Sequence, residues 1–62
     1  MLAVERRKQI LEQVHKDKKV IVSELSRQFR VSEETIRRDL EKLAEDGHVI
    51  KSYGGAVINE IG

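Results

Sequence analysis

Residues 31–44 have the sequence VSEETIRRDLEKLA, and this stretch carries the clearest helix signals in the chain. Ser32 is a good N-cap, because its hydroxyl can accept a hydrogen bond from a free amide of the first turn. The two glutamates that follow place negative charge at the positive end of the helix dipole. Gly47 can take a positive φ without steric cost and so ends the helix. The pattern predicts a helix from about Glu33 to Asp46.

The two faces of this predicted helix differ in chemistry. Apolar residues at spacings of i, i+4, i+7 and i+8 form one stripe, which consists of Ile36, Leu40, Leu43 and Ala44. The opposite face carries polar and charged side chains, namely Glu34, Arg38, Glu41 and Glu45, flanked by Thr35 and Arg37. A helix that enters the DNA major groove needs such side chains in its first turns, since those turns reach the base edges.

Composition limits the possible functions. The chain has 62 residues and no cysteine, which predicts one small domain without disulfides or a cysteine-based zinc site. Phe29 and Tyr53 are the only aromatic residues, so the core must be aliphatic. Charged residues make up 37% of the chain but the net charge is +1, which argues against a purely electrostatic DNA coat. No apolar run approaches the roughly 20 residues of a membrane span, so we expect a cytoplasmic protein.

The first third of the chain predicts a helix, a polar connection and a short strand. A helix from about Ala3 to His15 is indicated by an apolar face of Ile10, Leu11 and Val14. The charge run Lys16–Lys19 is interpreted as a solvated connection, with a phosphate-contacting patch as the alternative. The β-branched run Val20–Val22 is typical of a strand, but it is too short to stand alone and must pair with another.

A second short helix is predicted directly before the third. It runs from about Glu24 to Arg30, with Ser23 as its N-cap and with Leu25 and Phe29 on its buried edge. Two short helices joined by three or four residues form a helix-turn-helix. Many such turns have a glycine in the left-handed conformation where this chain has Arg30. A residue other than glycine in that conformation costs roughly 1 kcal/mol. Either the turn geometry differs or the domain carries that cost.

Two short strands are predicted after Gly47. They are His48–Ser52 and Ala56–Asn59, joined by a tight turn at residues 53–55 whose Gly-Gly pair can supply positive φ. This hairpin is expected to pair with Val20–Val22 in a three-stranded sheet. The resulting fold is mainly α with a small β-sheet, a winged helix-turn-helix of three helices and a β-hairpin wing. The last three residues, Glu60–Gly62, are predicted to fray.

Together these residues resemble the DNA-binding domain of DeoR-type bacterial transcription regulators. The resemblance covers nearly the whole chain, and its most specific part is Ser-x-x-Thr-Ile-Arg-Arg-Asp-Leu at residues 32–40. The family pattern usually has a His before Gly-Gly-Ala and an Arg two residues earlier. This chain has Tyr53 and Lys51 at those positions. Both side chains can still contact phosphate, so the fold interpretation stands.

The resemblance also implies a biological role. Members of the family are usually repressors of sugar or nucleoside catabolic genes, with a C-terminal domain that binds a phosphorylated sugar and mediates oligomerisation. We therefore expect residues 1–62 to be a fragment, and a sugar-phosphate effector to act only through that further domain. The isolated domain is expected to be monomeric and its full-length parent oligomeric. No cofactor, metal or membrane partner is expected.

Arg37 and Arg38 are the strongest candidates for DNA contact. Arg38 lies furthest outward and is predicted to contact a base, because Arg can bond guanine O6 and N7 bidentately, while Arg37 is predicted to contact a phosphate. The alternative is that both pair with glutamates at i, i+4. Such exposed pairs contribute about 0.2–0.5 kcal/mol, against about 1–3 kcal/mol for a good bidentate base contact. The arginines should therefore exchange their glutamate partners for DNA when DNA binds.

Further candidates lie around these arginines. Ser32 and Thr35 are helix-cap hydroxyls that can also bond phosphate, and Glu34 serves the helix dipole or accepts from cytosine N4. Asp39 lies off the outward face and is predicted to form a structural salt bridge.

The second helix and the wing supply the remaining candidates. Arg27 and Arg30 either touch the DNA backbone or are solvated. Lys51, Ser52 and Tyr53 either contact phosphate or the minor groove, or form a solvated hairpin. His15 and His48 are interpreted as ordinary surface histidines, since no ligand set surrounds them in the sequence.

The sequence favours specific binding of double-stranded DNA, with residues 33–46 in the major groove and the wing at 48–59 on the backbone. No catalytic constellation is present, so an enzyme is not expected. A protein-interaction module is the main rival, motivated by the near-neutral charge, but it would expose apolar residues on the outward face. RNA binding would favour exposed aromatic residues, and Tyr53 is the only candidate.

Overall fold

The computed structural model describes residues 1–60, and the predicted fraying of residues 61 and 62 lies outside this range. Over the described residues the elements are α1 (Ala3–Asp17), β1 (Lys19–Ile21), α2 (Val22–Phe29), α3 (Glu33–Glu45), β2 (Val49–Ser52) and β3 (Gly55–Ile58). This order of helices and strands confirms the predicted winged helix-turn-helix.

The apolar stripe of α3 lies at the centre of the core. Ile36 and Leu40 are almost completely buried, and Leu43 is buried beside them, as predicted. The stripe packs on apolar residues from the other elements, which are Ile10, Val14, Val20, Val22, Leu25, Val49 and Ala56. Phe29 only borders this cluster, so the core is aliphatic. Ala44, the last residue of the predicted stripe, also lies at its border. The packing fixes α3 with its opposite face in solvent.

Both ends of α3 form as the sequence predicts, within one residue. The amide of Thr35 donates to the Ser32 hydroxyl at 3.1 Å. At the other end Asp46 is the C-cap, so the predicted helix was one residue too long. Gly47 has φ of 82°, and its amide donates to the Ala44 carbonyl at 3.0 Å. Together with the bond from His48 to Leu43, at 2.9 Å, this is a Schellman motif.

The first helix is longer than predicted. It continues through Lys16 to Asp17, so the interpretation of residues 16–19 as a connection was wrong. Lys16 favours the extension, since a cation is stabilised at the negative end of the helix dipole. The C-cap is Lys18, which takes a left-handed conformation with φ of 72° and donates its amide to the Val14 carbonyl at 2.7 Å.

The second helix begins earlier than predicted. It starts at Val22 with Ile21 as the N-cap, so the predicted cap Ser23 and the inclusion of Val22 in β1 were wrong. The Val22 amide donates to the Gly54 carbonyl of the hairpin turn at 2.8 Å. That bond satisfies the first of the helix amides that have no partner inside the helix, so the hairpin turn fixes where α2 starts.

The turn between α2 and α3 contains a left-handed residue other than glycine. Arg30 is the C-cap of α2, one residue past its end, with φ of 57° and ψ of 44°. The hydroxyl of Ser26 donates to the Val31 carbonyl at 2.7 Å and ties the turn to α2. The sequence left open whether the turn geometry differs or the domain carries the cost of a left-handed Arg30. The structure shows the second, since Arg30 is left-handed.

Arg30→Gly is expected to stabilise the domain by about 0.5–1 kcal/mol. Glycine removes a left-handed strain of about 1–2 kcal/mol but increases the entropy of the unfolded chain. Chemical denaturation measures the difference. Arg30→Ala is the matched control, because it loses the same side chain and keeps the strain. Equal stability of the two variants would contradict this explanation.

The three strands form one antiparallel sheet in the order β1-β3-β2. Lys19 pairs with Val57 on one side of β3, and Ile50 pairs with Val57 on the other. The hairpin is tighter than predicted, because Gly55 belongs to β3 and the turn consists of Tyr53 and Gly54. His48 and Asn59 likewise lie outside the strands. The sheet holds the wing beside α3.

Candidate nucleic-acid interface

The N-terminal end of α3 presents two linked hydroxyls. Besides accepting from the Thr35 amide, the Ser32 hydroxyl lies 3.0 Å from the Thr35 hydroxyl. The predicted capping role of Ser32 is therefore confirmed. The free amides of this first turn and the helix dipole make such an end suited to an anion. Contact of either hydroxyl with phosphate stays a prediction.

The exposed face of α3 carries two ion pairs in its N-terminal half. Arg37 donates to Glu33 at 3.0 Å and Arg38 donates to Glu34 at 2.8 Å. The side chain of Arg38 is 75% exposed and that of Arg37 is 58% exposed, in agreement with the outward position predicted for Arg38. These are the i, i+4 pairs that the sequence offered as an alternative, and they form in the free domain. Their exposure leaves both arginines accessible to a ligand.

The wing is joined to α3 by a third ion pair, which the sequence interpretation missed. The Lys51 ammonium lies 3.3 Å from the Glu41 carboxylate. Lys51 points toward α3, whereas Tyr53, at the tip of the hairpin, is fully exposed. No local signal could have identified the pair, since it joins a helix and a strand whose relative position depends on the sheet.

An open groove of about 480 Å³ lies between α3 and the wing. It brings Arg37 of α3 together with Lys51, Ser52 and Tyr53 of the wing, and Glu33 also lines it. The floor is partly apolar, with Val22 and Leu40 among the lining residues. The groove thus collects four of the predicted contact residues and one acidic residue that was not among them.

Arg27 and Arg30 lie apart from this groove. Both are exposed on α2 or at its end, and neither forms an ion pair with another residue of the described range 1–60. Their predicted contact with a DNA backbone stays a prediction. His15 and His48 are exposed, as predicted for surface histidines.

Behind the exposed face, Asp39 fixes α3 to α1. Its carboxylate is 3% exposed and accepts from both Nε and Nη2 of Arg6, the latter at 3.1 Å. Arg7 lies 3.6 Å away as a second cation. This confirms the predicted structural salt bridge of Asp39. Mainly through the hydrogen bond, and despite burial, Asp39 raises the pKa of Arg6 above its already high ordinary value. Arg6 therefore stays charged far above neutral pH.

Over residues 1–60 the structure contains no cluster of three or more His, Cys, Asp or Glu residues able to hold a metal ion. In the same range no helix combines the length and apolar character needed to cross a bilayer.

Comparison with known proteins identifies the family. The DeoR-like helix-turn-helix domain matches residues 6–61. The chain belongs to this family. It is a transcription-regulator domain of the DeoR type and not an enzyme.

Three relatives illustrate the range of this DeoR-type family. The uncharacterized HTH-type transcriptional regulator YulB of Bacillus subtilis is 53% identical over 92% of this chain and 22% of its own length. The L-fucose operon activator of Haemophilus influenzae is 47% identical over 82% of this chain and 20% of its own length. The glycerol-3-phosphate regulon repressor of Escherichia coli is 40% identical over 94% of this chain and 23% of its own length. The chain thus spans about a fifth of these relatives. No solved structure matches it significantly.

Proposed function

We propose that this DeoR-type domain binds double-stranded DNA in a sequence-specific manner, with α3 in the major groove and the wing along the backbone. The observation that carries the proposal is the exposed surface formed by α3 and the wing, on which Arg37, Arg38 and Lys51 are all accessible. An outward face of charged and hydroxyl groups favours DNA over a protein partner, which would need an apolar face.

Each side chain on this surface has a proposed role. Arg38 contacts a base edge, and Glu34 accepts from a neighbouring cytosine N4. Arg37 and Lys51 bind phosphates, as do the hydroxyls of Ser32 and Thr35 together with the first-turn amides. Tyr53 extends the backbone contact from the wing tip, and Arg27 and Arg30 extend it from α2. Phosphate contacts supply the affinity, and base contacts select the sequence.

The proposed biological role is repression of sugar-catabolic genes by a longer cytoplasmic protein. One relative is named for an L-fucose operon and another for a glycerol-3-phosphate regulon, which supports a phosphorylated sugar or polyol as the effector class. Since the chain spans about a fifth of such relatives, the effector would bind a further domain that also joins DNA-binding domains into an oligomer. Two joined domains bind two half-sites far more tightly than one.

The decisive experiment is selection of a duplex from a random pool, followed by fluorescence anisotropy with the wild-type domain and Arg38→Ala. We expect Arg38→Ala to lose about 1–3 kcal/mol on the selected duplex and little on the random pool, because only the selected duplex offers the matching base. Lys8→Ala, an exposed cation on α1, is the control for the change in charge. Equal losses of Arg38→Ala on both duplexes would contradict base contact.

Arg37→Ala should behave differently. Loss of one phosphate contact weakens binding to both duplexes alike and lowers the slope of log affinity against log salt by about 1. A salt titration of the wild-type domain and of Arg37→Ala on both duplexes measures the change in slope. An unchanged slope would remove Arg37 from the phosphate contacts. Absence of any binding by the folded wild-type domain at low salt would instead favour the protein-interaction module.

A further inference from the structure

Two different elements lie along the opposite flanks of α3. The wing lies along the flank that carries Glu41, since Glu41 forms an ion pair with Lys51. The first helix lies along the other flank, where Asp39 accepts hydrogen bonds from Arg6. At about 100° per residue, Glu41 and Asp39 fall on either side of the outward position of Arg38. The stripe that is proposed to face the bases therefore runs between α1 and the wing.

A helix in the major groove has a phosphate backbone on each side. The groove is about 12 Å wide and is bounded by the two DNA strands, and a helix with its side chains nearly fills it. In the proposed complex the wing flank meets one backbone, through Arg37 and Lys51. The other backbone then runs along the flank that α3 shares with α1, and cations on that flank would meet it.

Arg7 is the first cation on the α1 flank. Asp39 carries one negative charge and already accepts from both Nε and Nη2 of Arg6. The Nη1 atom of Arg7 lies farther away, 3.6 Å from the same carboxylate, and its guanidinium makes no hydrogen bond within residues 1–60. Two guanidinium groups thus share one carboxylate, which leaves one positive charge in excess. This charge reaches the surface at Arg7, whose side chain is 28% exposed against 12% for Arg6.

Lys42 is the second cation on this flank. It follows Asp39 by three positions, so the two side chains lie on the same side of α3, about one turn apart. Lys42 is exposed and forms no ion pair with another residue of the range 1–60. Neither cation must leave a partner to bind a phosphate, because Lys42 has none and the guanidinium of Arg7 keeps donors to spare beside Asp39.

We infer that Arg7 and Lys42 bind the DNA backbone on the side of α3 opposite the wing, so that α3 is held by phosphate contacts on both flanks. The inference rests on the proposed function and extends it to the start of α1. Phosphate contacts position a protein on the duplex but carry no sequence information. The two cations therefore add affinity for every duplex alike and leave the ratio of operator to random affinity unchanged.

Salt titrations of Arg7→Gln and Lys42→Gln, on the selected operator and on random duplexes, test the inference. Each variant loses one phosphate contact, so the slope of log affinity against log salt should become shallower by about 0.9 on both duplexes. Affinity at about 0.1 M salt should fall roughly eight-fold. Lys8→Gln is the matched control, because Lys8 is exposed on α1, forms no ion pair within residues 1–60 and gives the same change in charge. Its slope should match that of the wild-type domain.

Ethylation interference on the operator locates the contacts, because an ethylated phosphate has lost its charge. Arg7→Gln and Lys42→Gln should become insensitive to ethylation at phosphates on one side of the major groove. Lys51→Gln should become insensitive at phosphates on the other side. If all three variants changed the response on the same side, the inference would be overturned.

A purely structural role of Arg7 beside Asp39 gives a different result. Arg7→Gln would then lower the free energy of unfolding in urea, while its salt slope would equal that of Lys8→Gln. That outcome, or a slope of Lys42→Gln equal to the control, would overturn the inference. Arg7→Lys keeps the charge and should restore most of the wild-type slope. Absence of all duplex binding by the folded wild-type domain would instead overturn the proposed function.

Discussion

Asp39→Ala is expected to lower the free energy of unfolding by about 3–5 kcal/mol, because it leaves the Arg6 guanidinium as an unpaired charge in a largely buried position. The side chain of Arg6 is 12% exposed and that of Asp39 is 3% exposed, so little water reaches the pair. A domain of this length has a total stability of roughly 3–9 kcal/mol. Much of it therefore depends on one pair, and urea denaturation would measure the loss.

Glu34→Ala is the matched control for this prediction, since it removes a carboxylate from an exposed pair of the same helix. Its expected cost is about 0.2–0.5 kcal/mol. Arg6→Leu/Asp39→Leu should recover most of the stability, because it removes both buried charges together. If Asp39→Ala cost no more than Glu34→Ala, the buried pair would not be what joins α1 to α3.

Gly55→Ala is expected to destabilise the domain by more than about 3 kcal/mol, the upper end of ordinary overpacking. A β-carbon on Gly55 would overlap the carbonyl oxygen of Val20 and lie 3.0 Å from its carbonyl carbon. The obstruction is backbone of β1, paired with β3, and cannot rotate away as a side chain could. We therefore expect the pairing of these two strands to be lost.

Gly54→Ala, one residue earlier, separates this clash from the effect of a positive φ. Gly54 has φ of 79°, and a β-carbon there would meet no atom within 4 Å. Its expected cost is about 1–2 kcal/mol, from the left-handed conformation alone. Denaturation of both variants, with amide exchange of β1, measures the difference. Equal costs, with β1 still protected in Gly55→Ala, would contradict the close approach.

The candidate site was only partly predictable from the sequence, because some of its features depend on local patterns and others on strand pairing. The exposed arginines of α3 follow from the helical period, which is a local property. Their position opposite the wing does not, because it depends on how β3 pairs between β1 and β2. The ion pair of Lys51 with Glu41 could therefore be found only in the structure.

The sequence by itself determined the third helix. The cap at Ser32, the apolar stripe that begins at Ile36 and the end at Gly47 all form within one residue of their predicted positions. Each depends on residues only a few positions apart, since helix hydrogen bonds and side-chain faces repeat over three or four residues. The order of elements, and so the winged helix, follows from the same short-range patterns.

The tertiary structure decided where α2 begins and what the buried carboxylate binds. The first amide of α2, at Val22, is satisfied by Gly54 of the hairpin, so a prediction based on the local cap Ser23 failed. Asp39 was predicted to form a salt bridge, but its partner Arg6 lies 33 residues away. A buried polar group must find a partner wherever packing brings one, and that choice depends on contacts distant in sequence.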